Sequence, residues 1–386
     1  MKERKKMQLK IVDFIKTHSN WEELLTSSPY NLIIKRDGKL VLFKYNQISS
    51  DFNEEICCEA RGLILEEGTW KVVRMAFKKF FNIGEPFAAQ LDWDTAVASE
   101  KIDGSIISVF FYDGKWRIAT NSTIDAFKAE ISGVGPYKTF GDLFESVCPM
   151  STFTYFDKNK CITFELVSPY TKVVIDYPKT QVYVLSIRNM TTLDEYSLDY
   201  LQIWADANAF ATPQVYYLNN QSDYRKLVED MPEGHEGIVV RDANGNRVKI
   251  KTLLYFQMHR ARNNGVMTLD RAVELILAND HAEFLSYFPE YTNYFDSVAA
   301  VINGVTMIAQ NWDAAHFASQ WQQKFSEKVA KKQFAIEFAK TKAGGLQALA
   351  FKCYDGNGVK WLSTLTAAQW TRMFAHQFSL IKEVTL

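Results

Sequence analysis

The spacing of apolar residues changes near residue 260, and this change is the strongest constraint on the fold. Before it, short apolar alternations are interrupted by Asp-Gly and Glu-Gly pairs, as in the stretch from Asn31 through Asp37-Gly38 to Phe43. A period of two residues with turns of this kind is typical of antiparallel hairpins. After His259 the apolar residues recur with helical periodicity. We therefore predict an α+β fold: a domain over 1–262 of mostly antiparallel sheets with flanking helices, and an all-α domain over 263–386.

The same periodicities predict individual elements, with the domain boundary at the polar segment 262–265. Thr366-Ala-Ala-Gln369 has the form of a capping box at the start of the last helix. Strands are predicted over 106–112, 115–120, 161–167, 172–176, 182–188, 237–241 and 247–250. Helices are predicted over 8–25, 123–147, 197–208, 268–287, 293–310, 313–343 and 366–382.

Composition excludes several classes of protein. The formal net charge of the 386 residues is −1, so any binding of nucleic acid must come from local clusters of Lys and Arg. No apolar run of about 18 residues predicts a membrane span, and the charged segment Met1–Met7 lacks the apolar core of a secretory signal. The five cysteines are scattered and form no C-x-x-C pair, which argues against a disulfide framework or a zinc site. We expect a cytoplasmic protein, located in the host cytoplasm if a phage encodes it.

Lys101 is the first candidate for chemistry. It precedes an Asp103-Gly104 turn and lies between the apolar residues around Val97 and those after Ile106. This arrangement predicts a lysine at a strand end with its amine facing a pocket. The pattern K-x-D-G arises by chance in roughly one chain in ten of this length, so its weight depends on what accompanies it.

Further candidates lie in predicted strands or beside them. Several cations suit a polyphosphate, two carboxylates suit a divalent metal or a ribose, and one aromatic ring could stack on a base. Neither a G-x-x-x-x-G-K-S/T loop nor a G-x-G-x-x-G turn is present, so a nucleotide would not be held in those ways. The neutral amine of a lysine, which neighbouring cations favour, is a nucleophile. The residues are Arg61, Lys79, Lys249 and Lys251, Glu165 and Glu236, and Phe81.

Each of these features has a second interpretation that the sequence leaves open. The alternating cations Arg247, Lys249 and Lys251 are also typical of a solvated strand edge. Glu165 could face solvent from an amphipathic strand, although its apolar neighbours otherwise require a partner for a carboxylate there. Phe81 could belong to the core.

The order and spacing of these motifs resemble the covalent nucleotidyltransferases, which include nucleic-acid ligases and mRNA capping enzymes. Within this superfamily the chain most closely resembles the phage T4 RNA ligase 1 family, over about residues 40–260. The matching segments are Cys58-Glu-Ala-Arg61-Gly62, Lys79-Phe-Phe-Asn82, Lys101-Ile-Asp-Gly-Ser105, Phe164-Glu165-Leu-Val-Ser-Pro169, His235-Glu236-Gly-Ile-Val-Val240 and Val248-Lys249-Ile-Lys251, followed by Tyr255 and His259.

The resemblance implies an ATP-dependent RNA ligase that uses Mg²⁺ or Mn²⁺. Lys101 would attack the α-phosphate of ATP and form lysine–AMP, and AMP would pass to the 5′-phosphate of an RNA end. A 3′-hydroxyl would then displace AMP and seal the strand. The implied substrates are single-stranded or nicked-loop RNAs, with tRNA repair as the expected role. We expect a monomer with no membrane partner.

The resemblance also implies roles for single residues. Arg61, Lys79, Lys249 and Lys251 would contact phosphates, Tyr45 and Glu236 the nucleoside, and Glu165 the ribose or a metal. Phe81, Asp103, Gly104 and Tyr255 would complete the pocket. One position departs from the family, because Asn121 stands where a lysine followed by glycine is usual.

The predicted helical domain carries weaker candidates. Lys324, Lys328, Lys331 and Lys332 fall on one side of a helix and could hold an RNA backbone or form a solvated face. Asp280 and Glu283 could contribute to a metal site or to ordinary helix surface. In the resembled family a helical C-terminal domain influences the choice of RNA.

Two other functions remain open. A DNA ligase or a capping enzyme would normally continue into a strand-rich OB domain, which the helical pattern after 263 disfavours. A non-catalytic protein that binds nucleotide or RNA would not need Lys101 together with the later carboxylates and cations.

Overall fold

A computed structural model describes residues 9–47, 49–131, 135–217, 220–232, 234–255, 267–278, 280–379 and 381. The chain divides into two compact units, one of Met1–Tyr45 with Ser50–His259, the other of Asn46–Ser49 with Arg260–Leu386. The predicted boundary at 262–265 lies outside the described residues, as does His259.

The described part of the first unit contains three sheets with helices around them. The helices are α1 (Lys10–Thr17), α2 (Trp21–Thr26), α3 (Glu55–Glu59), α4 (Phe140–Glu145), α5 (Leu198–Ala207) and α6 (Gln221–Glu229). The strands are β1 (Ile33–Asp37), β2 (Leu40–Lys44), β3 (Arg61–Glu66), β4 (Val72–Arg74), β5 (Phe81–Asn82), β6 (Val97–Glu100), β7 (Ser105–Tyr112), β8 (Lys115–Thr120), β9 (Lys160–Val167), β10 (Gln181–Asn189), β11 (Val215–Tyr216), β12 (Gly237–Arg241) and β13 (Arg247–Lys251).

The predicted preference for antiparallel sheets is confirmed. The sheet orders are β1-β2-β3-β4, β10-β9-β7-β8 and β11-β6-β12-β13-β5. Every pair in them is antiparallel except β13 with β5, which run parallel. Hairpins such as β7–β8 pair residue by residue, from Ile107 with Thr120 to Tyr112 with Lys115.

Helices cover the sheets because both have an apolar face to bury. Leu201 of α5 and Phe144 of α4 are buried in one cluster with Val109, Phe164 and Leu166 of the second sheet. The strand β9 is buried over 161–167, as expected of a strand inside a sheet. Burial of such side chains contributes about 1.5–3 kcal/mol each. This packing holds the ends of β7 and β9 in place.

Several local predictions were wrong. In the second unit, the helix predicted over 313–343 is divided into Phe317–Lys324 and Glu327–Glu337, and the helix predicted over 366–382 into Ala367–Met373 and Ala375–Phe378. The segment 123–147 forms a 3-10 turn at Ala126–Lys128 and the short helix α4, which begins at a capping box between Thr139 and Asp142. The segment 172–176 is not a strand. The helix predicted over 8–25 is divided into α1 and α2 by His18-Ser19-Asn20.

The second unit is helical, as predicted. Its helices are α7 (Leu269–Ala278), α8 (His281–Tyr287), α9 (Thr292–Ala314), α10 (Phe317–Lys324), α11 (Glu327–Glu337), α12 (Gly345–Tyr354), α13 (Gly358–Leu362), α14 (Ala367–Met373) and α15 (Ala375–Phe378). The capping box of Thr366 and Gln369 is present at the start of α14. The core is rich in aromatic residues, with Phe295, Phe334 and Trp370 fully buried.

In the described part of the chain, none of the helices has the length and apolar character needed to cross a membrane.

Candidate active site

The candidate nucleophile lies where two neighbouring strands end. Lys101 follows directly after β6, and Glu236 comes directly before β12, the strand that pairs with β6. The backbone N–H of Lys101 donates to the carbonyl of Gly237 at 2.8 Å. Because the two strands are antiparallel, the end of one lies beside the start of the other, and their side chains meet.

The amine of Lys101 and the carboxylate of Glu236 form an ion pair. Lys101 Nζ lies 2.6 Å from Glu236 Oε2. The other oxygen, Oε1, lies 3.5 Å from Nζ of Lys251 on β13. The Glu236 side chain is 3% exposed, so this carboxylate is buried between two cations.

Glu165 lies close to this pair without being engaged by it. It is on β9 opposite Ile106 of β7, and 7% of the residue is exposed. Burial raises the pKa of Glu165 to about 8; Lys101 opposes this rise, Glu236 adds to it and Arg61 opposes it. Among the described residues it has no side-chain hydrogen bond or ion pair. A buried carboxyl of this kind is a ready site for an incoming cation.

Asp103 fixes the loop opposite the lysine. Its Oδ2 accepts the N–H groups of Val174 and Ile175, each at 2.8 Å, and these bonds hold the segment that was predicted as a strand. The hydroxyl of Tyr255 lies 3.4 Å from Oδ1, and the Lys251 amine lies 5.2 Å from the centre of the Tyr255 ring. Burial, with a contribution from Glu236, raises the pKa of Asp103.

Two glycines allow the strands to approach each other here. A Cβ on Gly104 would lie 2.5 Å from the carbonyl oxygen of Leu166. Gly237 has φ +144°, and a Cβ there would lie 2.1 Å from the carbonyl oxygen of Ile250. Only glycine fits both positions without moving the backbone.

A second group of predicted residues clusters around Lys79. Its amine lies 5.0 Å from the ring of Tyr45, 4.9 Å from Phe52 and 5.0 Å from Phe81. Phe81 is 4% exposed and also contacts Phe52 and Phe87, which fits its interpretation as core. This group therefore presents a cation held among aromatic faces.

Arg61 and Lys249 lie next to these groups. The guanidinium of Arg61 is over the ring of Phe80 at 5.1 Å, and its Nη1 is buried without a hydrogen-bond partner in the described structure. Burial raises the pKa of Glu85, and the nearby cations Lys249 on β13 and Lys79 oppose this rise. Since β13 lies between β12 and β5, the solvated-edge interpretation of its cations is wrong. The solvent-facing interpretation of Glu165 is wrong for the same reason, since β9 is buried on both faces.

Asn121 follows β8 and is held by a buried arginine. Arg74 of β4 donates from Nη2 to Asn121 Oδ1 at 3.0 Å and to Ser108 Oγ at 2.7 Å, and from Nη1 to the carbonyl of Gly62. Arg74 is fully buried, and burial lowers its pKa to about 10. The Arg74 guanidinium therefore contacts the side chain of Asn121, the position at which the resembled family usually has a lysine.

Sequence reasoning missed Arg74, Tyr177 and Glu85. The Tyr177 hydroxyl accepts the backbone N–H of Asp103 at 3.2 Å. Arg74 and Tyr177 act through residues far away in the chain, so no local pattern marks them, whereas Glu85 accepts a hydrogen bond from Asn82, three residues away. The metal candidates Asp280 and Glu283 do not gain support: the described residues contain no group of three or more His, Cys, Asp or Glu suited to a metal, and the Glu283 side chain lies outside them.

A strand-end lysine with carboxylates and further cations around it is the kind of site found in nucleotidyltransferase-type ligases. A family model described as RNA ligase, of the phage T4 RNA ligase 1 type, matches residues 59–259. This match covers more than half of the chain and contains the residues from Arg61 to Tyr255. The chain belongs to this RNA ligase family.

Relatives and solved structures with sequence or fold similarity include other ligases. A protein of Autographa californica nuclear polyhedrosis virus named as a bifunctional polynucleotide kinase/RNA ligase is 26% identical, over 65% of this chain and 38% of its own length. An RNA ligase of Rhodothermus phage RM378 is 24% identical, over 66% of this chain and 71% of its own. The chain thus spans well under half of the viral relative.

An archaeal ATP-dependent RNA ligase structure is 13% identical with a TM-score of 0.48, over 86% of this chain and 90% of its own. A Naegleria gruberi RNA ligase mutant with ATP and Mn is 12% identical with a TM-score of 0.35, over 43% and 52%. With TM-scores below 0.5, the family assignment depends on the sequence match.

Proposed function

We propose that this chain is an ATP-dependent ligase that joins a 5′-phosphate to a 3′-hydroxyl in RNA through a lysine–AMP intermediate on Lys101. The observation that supports this most is the position of the Lys101 amine, 2.6 Å from Glu236 and beside the partnerless carboxyl of Glu165. A lysine whose only role was structural would not need a second, unsatisfied carboxyl next to its ion pair.

In the first step the neutral amine of Lys101 attacks the α-phosphorus of ATP. A nitrogen–phosphorus bond forms, the bond to the oxygen of the β-phosphate breaks, and pyrophosphate leaves. The ammonium must first lose a proton, and Glu236 Oε2 is the acceptor within hydrogen-bond distance. Lys251, on the other side of the same carboxylate, keeps positive charge next to the reacting phosphate.

The remaining predicted residues supply charge and orientation. Arg61 has an unpartnered nitrogen for a phosphate oxygen, and Lys249 and Lys79 would contact the phosphates beyond the α-phosphate. Tyr45 would pack against the nucleoside, together with Glu236. Phosphoryl transfer depends mainly on positioning and on neutralising charge, which is what a set of fixed cations provides.

The residues present fit a divalent metal that arrives with the nucleotide. Mg²⁺ and Mn²⁺ are commonly held by one or two carboxylates together with substrate phosphates rather than by a complete protein cage. Glu165 is the carboxyl without a partner, and a bound cation would keep it ionised at neutral pH. The metal would add positive charge at the transferring phosphate.

In the second and third steps AMP passes to the 5′-phosphate of an RNA end, and a 3′-hydroxyl displaces it. We propose a nicked or single-stranded RNA such as a damaged tRNA as the substrate, with the helical unit contributing to its choice. Of the lysines proposed to face RNA there, Lys331 pairs with Asp355 at 3.0 Å and Lys324 lies over Trp321 at 5.8 Å. Lys328 and Lys332 are the better test of that face.

The proposal is tested by incubating the protein with α-labelled ATP and Mg²⁺, denaturing it and measuring protein-bound AMP. The wild type should form an acid-labile adduct that Lys101→Ala abolishes, whereas Lys115→Ala, at an exposed lysine of β8, should leave it unchanged. An undiminished adduct in Lys101→Ala would refute the assignment. Circularisation of 5′-phosphorylated RNA compared with DNA of the same sequence then tests the substrate, and equal rates would contradict the preference for RNA.

A further inference from the structure

A cavity of about 570 Å³ lies at the far end of the hairpin that carries Lys251. Its lining includes the turn of residues 243–246 between β12 and β13, with Arg241 on one side and Arg247 on the other. Glu236 and Lys251 pair at the opposite end of the same two strands. The Cα atoms of Arg247 and Lys251 are about 13 Å apart, from the rise of a β-strand.

The cavity carries an excess of positive charge. Five of its lining residues are cations and two are carboxylates, Asp194 and Glu195. Lys78 is engaged from outside the lining by Glu55 and Glu59, and Lys79 is among the cations assigned to ATP, which leaves three arginines against two carboxylates. The cations are Lys78, Lys79, Arg188, Arg241 and Arg247.

Glu195 aligns three arginines at the wall of the cavity. Its carboxylate lies 3.0 Å from Arg188 Nη2 and 3.3 Å from Arg241 Nη1, and Arg247 Nη2 also donates to it. A guanidinium has five N–H donors, and Arg247 uses two nitrogens here, for Glu195 and the carbonyl of Gly245. One carboxylate thus holds three guanidinium groups in place, with Asp194 and Asp242 as the further negative charges near Arg188 and Arg241.

The surroundings of the arginines suit a nucleic-acid strand. Phe87, which is 39% exposed, and Phe80 also line the cavity. Fixed cations combined with accessible aromatic rings are the usual means of binding single-stranded nucleic acid. The exposed side chain of Asn244 supplies a further hydrogen-bonding group at the rim.

A row of cations connects the cavity with the nucleophile. Arg247, Lys249 and Lys251 project from one face of β13 at intervals of about 6.6 Å. ATP carries two phosphates beyond the one that Lys101 would attack, whereas an RNA strand carries one at every nucleotide. Since ATP would occupy Lys249 and Lys251, a phosphate bound at Arg247 and the cavity would belong to a second ligand that carries several phosphates, such as an RNA strand.

We propose that this cavity is a binding subsite for a backbone phosphate of the RNA strand, which follows β13 towards Lys101. The proposal rests on the proposed function, since RNA is the ligand. It makes the Glu195 cluster part of the RNA-binding surface as well as of the core.

The test measures binding of a 5′-phosphorylated, fluorescent 20-nucleotide RNA to the full chain by anisotropy over a range of salt concentrations. Arg241→Gln and Asn244→Asp should each raise the dissociation constant about fivefold to tenfold. Arg241→Gln should also reduce the slope of log K against log salt by about 0.7. Asn20→Asp makes the same charge change at an exposed residue outside the cavity lining and should bind as the wild type does.

Two further measurements separate the possible outcomes. Formation of lysine–AMP from ATP and its reversal by pyrophosphate should stay within twofold of wild type in both variants. If reversal by pyrophosphate weakens while RNA binding does not change, the cavity binds the leaving group and the proposal is overturned. It is also overturned if both variants bind RNA like Asn20→Asp, since the arginines would then only stabilise the fold.

Asn244→Asp keeps the test valid if Arg241→Gln fails to fold, because Asn244 is exposed and does not contact Glu195. The binding assay does not require catalysis. A wild type that binds RNA but forms no lysine–AMP would therefore refute the proposed reaction while leaving the subsite open to the same variants.

Discussion

Glu165 and Glu195 are two buried carboxylates of the same unit, and their surroundings shift their pKa values in opposite directions. Burial would raise the pKa of Glu195, but Arg247, Arg188 and Arg241 outweigh it and lower the value to about 2. Burial raises the pKa of Glu165 to about 8, because Lys101 and Arg61 are offset by Glu236 and Asp103. Glu195 touches its cations directly, whereas Glu165 has no bonded partner among the described residues.

The two carboxylates therefore differ in whether the fold itself supplies their hydrogen-bond and ion-pair partners. A buried carboxylate with several guanidinium partners is satisfied within the fold. A buried carboxyl with a raised pKa next to a lysine and a second carboxylate is the pattern expected of a functional site. On this basis we propose that Glu165 binds a ligand that brings positive charge, whereas Glu195 has its partners within the fold.

The largest effect is expected from Glu195→Gln. Removing this carboxylate leaves three buried guanidinium groups without a counter-charge, and the free energy of unfolding should fall by about 3–5 kcal/mol. Urea denaturation at pH 7 measures it. Because the folded-state pKa is lowered, the stabilisation is present above about pH 4.5 and is lost as pH falls towards 2. A loss below 1 kcal/mol would mean that the arginines find other partners.

Glu165→Gln should lower the activity of the protein without lowering its stability. We expect the rate of lysine–AMP formation to fall at least 100-fold, because the charge that a metal would require is lost, while the stability of the free protein at pH 7 does not decrease. Single-turnover labelling with ATP measures the rate. Glu145→Gln, at the exposed end of α4, is the matched control. Equal loss of stability in Glu165→Gln and Glu195→Gln would remove the distinction between the two sites.

The pH dependence of the free protein is a third test. With the folded-state pKa of Glu165 raised, its neutral form stabilises the fold below about pH 4.5, and this contribution is lost as pH rises through about 8. Glu165→Gln should therefore become more stable than the wild type between pH 5 and pH 8. The expected gain is roughly 2 kcal/mol, below the limit of about 5 kcal/mol that the shift sets. Thermal unfolding across this range measures it, and a constant difference between the proteins would contradict the assignment.

Asp103 lies between these extremes and should show the smallest effect. It accepts two backbone N–H groups but has no ion pair within 4 Å among the described residues. Asp103→Asn can keep only part of this arrangement, so we expect a loss of about 1–2 kcal/mol in stability. Denaturation at pH 7 measures it, with Asp176→Asn, at an exposed position of the same loop, as the control. A loss as large as that of Glu195→Gln would place Asp103 with the structural carboxylates.

Much of the fold was predictable because its signals are local. The hairpin β7–β8 could be read from alternation around Asp113-Gly114, and the start of α14 from Thr366 and Gln369. The segment 172–176 could not, because its backbone is held by the Asp103 carboxylate, about 70 residues away in the chain. Alternation alone does not show whether a strand partner or a side chain receives the N–H groups.

The site divides in the same way. Lys101, Glu165, Glu236, Lys249 and Lys251 could be named as candidates from motif spacing, since each lies on a strand or at a strand end. Which carboxylate the lysine contacts, and which stays without a partner, could not be inferred.

The sequence by itself determined the two periodicities, the order of the motifs and the family to which the chain belongs. The tertiary structure decided the direction in which the pKa values of Glu165 and Glu195 shift, because a pKa depends on burial and on the nearest charges rather than on neighbours in the chain. It also placed Arg74 beside Asn121, and it gathered Arg188, Arg241 and Arg247 around Glu195. These contacts join residues far apart in sequence, and only the packing of the sheets brings them within hydrogen-bond distance.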